Sequence, residues 1–119
     1  MTIIFVILSG AFAAVHLFAM KTSMYWYYPW FDIVMHFWGG VLLALGVHSF
    51  SSFSRIYIKP SLPVVLIVVL MAATTWEIFE RLAGLYDPAT YVFDTAKDLI
   101  IGLSGGLLAH LLIRKYTIG

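Results

Sequence analysis

The sequence predicts an all-α, polytopic membrane protein, a bundle of four transmembrane helices. Three observations carry that prediction. Hydrophobic residues make up 62% of the 119 residues and charged residues only 11%, where a soluble domain carries roughly 25% charge. The apolar residues gather into four runs, each about 20 residues long, the length a helix needs to cross ~30 Å of hydrocarbon. Those runs are continuous rather than alternating, which excludes a transmembrane barrel. Helices then remain as the way to satisfy every backbone group in lipid. The same composition excludes disorder. A net charge of +1 with no basic tract argues against nucleic-acid binding. With no cysteine in the chain, disulfides, thiolate metal sites and cysteine nucleophiles are ruled out.

The first span, residues 2–20, holds no charge and one histidine, His16. No basic segment precedes it, so it reads as a retained helix rather than a cleaved leader. The stretch from Lys21 to Trp30 is rich in aromatic residues (Tyr25, Trp26, Tyr27, Tyr28, Trp30). It is expected to lie as an interfacial belt at headgroup level. The second span, 31–50, contains Asp32, His36 and His48. A Ser-rich loop with Arg55, Lys59 and Pro60 leads to the third span, 62–81, which is apolar up to Met71 and polar near its end. A turn containing Asp87 and Pro88 precedes the fourth span, 94–113, which begins polar and ends apolar. No internal repeat stands out along the chain. The termini share one side with Arg55, Lys59, Arg114 and Lys115, while Lys21, Arg81 and Lys97 lie on the other. The positive-inside rule puts both termini in the cytoplasm.

The acidic residues are distributed unevenly. With four spans, all six acids (Asp32, Glu77, Glu80, Asp87, Asp94 and Asp98) fall on the side opposite the termini. Asp32 and His36 are four residues apart, as are Asp94 and Asp98, so each pair shares a helix face. Glu77 and Glu80 are one turn apart. Gly40 follows His36 by one turn and Gly102 follows Asp98 by one turn; Gly102-x-x-x-Gly106 is a small-residue pattern that lets helix backbones approach. Carboxylates gathered at membrane depth repel one another. Held protons, pairing with Arg81 or Lys97, or a bound cation would relieve that repulsion. Six acids against Lys21, Arg81 and Lys97 favour a bound cation or protonated acids.

Three motifs occur in order: Asp32-x-x-x-His36-Phe37-x-x-Gly40, Trp76-Glu77-x-x-Glu80 and Asp94-Thr95-x-x-Asp98-Leu99. Together they resemble small bacterial inner-membrane proteins of the YjdF type and, more distantly, the VanZ-like family. The resemblance runs from Phe31 to Ala109. It implies a helical membrane protein with a polar pocket, and it supplies a location rather than a reaction.

Asp32, His36, Glu77, Glu80, Asp94 and Asp98 are therefore the candidate metal ligands, with Glu77 and His36 as candidate catalytic groups. Oxygen-rich ligation suits Mg²⁺ or Mn²⁺, and the histidine admits Zn²⁺. Competing readings are local. Asp32 and Asp94 near helix starts would serve as N-caps, Glu77 would pair with Arg81, and Glu80 would be solvated at the interface. His16 stands at a depth similar to His36 and would complete a site or find a carbonyl partner. His48 and His110 lie in the other half and read as structural. The expected activity is that of a metal-dependent hydrolase or transferase on a lipid-linked or phosphate-bearing substrate. The alternatives are a cation- or proton-binding transport component and a non-catalytic structural membrane protein. Membrane lipid is the expected partner, and so small a bundle is compatible with a homo-oligomer.

Overall fold

Long Leu-, Ile- and Val-rich runs become helices because nothing in them competes for the backbone and nothing breaks it. The computed structural model describes residues 2–53, 55–56, 59–84, 89 and 91–117. Its elements are α1 (Thr2–Lys21), α2 (Met24–Tyr27), α3 (Pro29–Phe53), α4 (Leu62–Leu82) and α5 (Tyr91–Thr117). Four of them, α1, α3, α4 and α5, are long and apolar enough to span a membrane. The two prolines within the described helices stand where a helix tolerates them. Pro29 opens α3 and Pro63 sits in the first turn of α4, where an N–H would lack an intrahelical acceptor anyway. Gly84, at φ 75°, ends α4 in the left-handed conformation, and its N–H donates to the Arg81 carbonyl at 3.2 Å.

Several boundaries differ from the sequence expectation: α3 runs into the Ser-rich stretch as far as Phe53, and α5 continues to Thr117. The aromatic stretch after Lys21 is not all loop: after Ser23, at φ 57°, it winds into the single turn of α2. The last helix starts at Tyr91 rather than at residue 94, so Asp94 lies within the first turn instead of capping it. Asp32 likewise lies inside the first turn of α3.

The central helix is α3, which packs against α1, α2, α4 and, most extensively, α5. Ala44 and Val47 of α3 meet Val65 and Val69 of α4 and Ala109 of α5 in one buried cluster. Ala19 of α1 meets Phe31 and Met35 of α3 in another. Much of α1 (Ile3, Val6, Ile7, Leu17, Phe18) is exposed on the protein surface and suited to acyl chains. Two hydroxyls within the spans are satisfied by their own helix: Thr75 Oγ1 donates to the Met71 carbonyl and Ser104 Oγ to the Ile100 carbonyl, both at 2.8 Å.

The α3–α5 interface sets the register of everything near it. The two helices run parallel, with His36 beside Asp98, Gly40 against Gly102 and His48 against His110, a constant offset of 62 residues. A Cβ added to Gly40 would overlap the Gly102 carbonyl, and one added to Gly105 would overlap the Phe37 carbonyl. Backbone therefore touches backbone. This register also exposes a similarity that reading along the chain does not. At that offset Phe31, Asp32, Gly40, Leu45 and His48 are matched by Phe93, Asp94, Gly102, Leu107 and His110. The two parallel helices thus carry the same residue types at matching levels: an acid near the start, glycine in the middle and histidine toward the end.

Because the seam has no room for a methyl group, Gly40→Ala is expected to destabilise the bundle by about 1–3 kcal/mol. A Cβ at Gly39 meets nothing within 4 Å, so Gly39→Ala is expected to be neutral or to stabilise by up to about 1 kcal/mol. Thermal unfolding of both variants in detergent micelles checks the contrast.

Candidate metal centre

The Pro29 start of α3 puts Asp32 in its first turn, where a carboxylate is favoured by the helix dipole. His36 is one turn deeper on the same face. Its Nε2 lies 3.2 Å from Asp32 Oδ1 and 3.2 Å from Asp98 Oδ2. A single ring nitrogen carries at most one hydrogen, so the two acids compete for one N–H. Asp98 stands ~10 Å along α5 from the start of that helix and is only 4% exposed. Glu77 of α4 is 5% exposed. Its Oε2 accepts a long hydrogen bond, 3.4 Å, from Thr95 Oγ1 of α5. Glu77 Oε1 and Asp98 Oδ1 are buried and accept no hydrogen bond.

Glu80 forms the outer edge. Its Oε1 accepts a 2.6 Å hydrogen bond from the Trp76 indole N–H. The Trp76 ring packs at 5.2 Å from Phe79 and edge-on to His16 at 6.0 Å. His16 in turn stacks on Phe12 at 6.4 Å. His16 thus reaches the site's aromatic wall, outside the ligand groups themselves.

The donor atoms form two groups. Asp32, His36 and Asp98 each offer one donor atom within 4.8 Å of the others, and Glu77, Glu80 and Asp98 do the same. Asp98 belongs to both. Two ionised carboxylates at such a separation repel by about 3.5 kcal/mol at an effective dielectric near 20, and buried oxygens without donors add a desolvation cost. A cation removes both penalties. Bonds of ~2.1 Å to N and O donors place neighbouring donors ~3.0–3.4 Å apart, close to the two 3.2 Å separations around His36.

The expected ligands are therefore not all gathered. Asp32, His36, Glu77, Glu80 and Asp98 converge from α3, α4 and α5, whereas Asp94 is half-buried and outside both groups. Asp87 lies outside the described residues. His48 and His110 meet each other at the far end of the α3–α5 seam, with Nε2 of His48 and Nδ1 of His110 2.9 Å apart. Sequence reasoning missed Trp76 and Thr95 as donors to the glutamates. The four-residue spacing of Trp76 and Glu80 was a usable signal; the Thr95–Glu77 contact joins two helices and had none.

A family described as "predicted membrane protein (DUF2238)" matches residues 1–118. The chain belongs to that family. The family description and the four apolar helices agree that this is a membrane protein. No curated protein and no solved structure matches the chain significantly.

Trp76→Phe keeps an aromatic ring beside His16 and Phe79 but removes the donor to Glu80. It is expected to cost about 1 kcal/mol of stability, read as a lower unfolding midpoint. An unchanged midpoint would mean that this hydrogen bond does not help hold the wall.

Proposed function

We propose that this DUF2238 chain is a membrane-embedded, divalent-metal-dependent hydrolase or transferase acting on a lipid-linked, phosphate-bearing substrate. The observation that carries this reading is the pair of buried carboxylate oxygens without hydrogen-bond donors, Glu77 Oε1 and Asp98 Oδ1, beside the His36–Asp32–Asp98 triangle. Asp32, His36 and Asp98 hold the ion, with Mg²⁺ or Mn²⁺ favoured by the oxygen-rich set and Zn²⁺ admitted by the histidine. A bound ion would supply Lewis acidity toward a phosphate that the acids alone would repel. Glu77, buried and facing the same space, takes the proton of the attacking water. The water oxygen bonds to phosphorus, the ester bond to the leaving oxygen breaks, and the proton passes from Glu77 to that oxygen. An acceptor hydroxyl in place of water gives transfer.

A groove supports the lipid part of this reading. It measures about 650 Å³, is lined by Val68, Met71, Ala72, Thr75, Trp76 and Phe79, and runs along α4. It reaches Trp76, the residue bonded to Glu80. An acyl or prenyl chain lying there brings its headgroup to the carboxylates. The motifs that resemble those of YjdF-type proteins lie at the same end of the bundle. The contact of Gly40 with Gly102 closes the α3–α5 seam beyond the site, which suits a pocket better than a conduit. We further propose that the bundle sits in the inner membrane with both termini cytoplasmic. Arg55, Lys59, Arg114 and Lys115 then lie inside and the carboxylate pocket faces outward.

Protein purified without chelator is expected to carry divalent metal, and added Mn²⁺ is expected to raise its unfolding midpoint; Asp98→Asn abolishes both. In mixed micelles of phosphatidate or a polyprenyl pyrophosphate, phosphate release is expected to require the metal. Glu77→Gln should reduce it about 10²-fold or more while the chain stays folded. Metal-free protein that no divalent ion stabilises would refute this function.

A further inference from the structure

We infer that the pocket holds two divalent cations rather than one, with Asp98 as the bridging ligand between them. The inference rests on the metal-centre reading and deepens it. Asp98 is shared by both donor groups, Asp32–His36–Asp98 and Glu77–Glu80–Asp98. Its two oxygens are used differently: Oδ2 lies 3.2 Å from His36 Nε2, while Oδ1 is buried and without a donor. Glu77 is also more than nine-tenths buried, and its Oε1 has no donor. One ion at the His36 group leaves Glu77 Oε1 and one Asp98 oxygen uncompensated; a second ion at the Glu77–Glu80 group engages both. A carboxylate that gives one oxygen to each ion suits the ~3.5–4 Å metal separation of two-metal phosphoryl-transfer sites.

The roles divide accordingly. His36 and Asp32 belong to the first ion, Glu77 and Glu80 to the second. Glu80 meets the second ion through the carboxylate whose Oε1 is held by Trp76. Glu77 would then be a ligand through Oε1, and the bound ions would supply the acidification of water that the one-ion reading assigns to Glu77 as base.

The test is metal stoichiometry on the full-length wild-type chain in detergent, loaded with Mn²⁺ and freed of excess ion. It is combined with electron paramagnetic resonance of the same sample. Two Mn²⁺ per chain with an exchange-coupled spectrum of halved hyperfine spacing is the expected result. Glu80→Gln and His36→Ala should each lower the count from two to one and restore the spectrum of an isolated ion. A single Mn²⁺ per chain in the wild type, uncoupled and insensitive to Glu80→Gln, overturns the two-ion inference and leaves the one-ion reading standing. No bound Mn²⁺ overturns both. The wild-type measurement decides between these results even where a variant fails to fold.

Discussion

The direct contact of two helix backbones at Gly40 and Gly102 is the constraint on which the rest of this bundle depends. In a bilayer, apolar side chains gain little by leaving lipid for one another, so close packing and polar contacts hold helices together. Glycine at both positions lets α3 and α5 approach until a methyl group no longer fits. One turn from that contact, the same approach brings His36 within 3.2 Å of Asp98. A looser seam would separate the imidazole from the carboxylate, and the buried acid would lose its nearest partner. Packing and polar chemistry are thus one arrangement: the glycines set the distance at which the ionisable groups meet.

The pocket built on that seam is acidic beyond what its own donors can satisfy. His36 offers one N–H to two acids, Thr95 reaches one oxygen of Glu77, and Trp76 reaches one oxygen of Glu80. Buried oxygens of Glu77 and Asp98 are left over. Such residual acceptor capacity, in a region where burying charge is costly, is the physical basis for reading the pocket as a cation centre. The location also shapes the chemistry. The carboxylates and His36 lie near one end of the spans, beside an apolar groove along α4, so the substrate proposed above, with a lipid tail and an anionic head, would meet both features at once.

Much of this was legible in the sequence. Run length and the scarcity of charge determine the four spans, because lipid leaves few other solutions. The four-residue spacing of Asp32 with His36, and the acids at three helix ends, were enough to place five converging residues at one end of the bundle. Other features were not legible. Asp94 shares the spacing of a ligand, yet it lies outside both donor groups, and α5 begins at Tyr91 rather than beside it. Helix starts depend on local turn geometry that hydropathy does not encode. The likeness of α3 and α5 also escaped linear reading. Few residues match, and their significance is apparent only once parallel packing aligns Asp32 with Asp94, Gly40 with Gly102 and His48 with His110. The division of Asp98 between two donor groups is likewise a three-dimensional fact.

The central claim is that the carboxylates and His36 enclose a cation. The most direct measurement is anomalous diffraction from crystals grown in lipid and soaked with Mn²⁺. The account predicts an anomalous peak within ~2.0–2.4 Å of His36 Nε2 and an Asp98 carboxylate oxygen. A map with His36, Asp98 and Glu77 ordered and converging but no anomalous peak among them would contradict it.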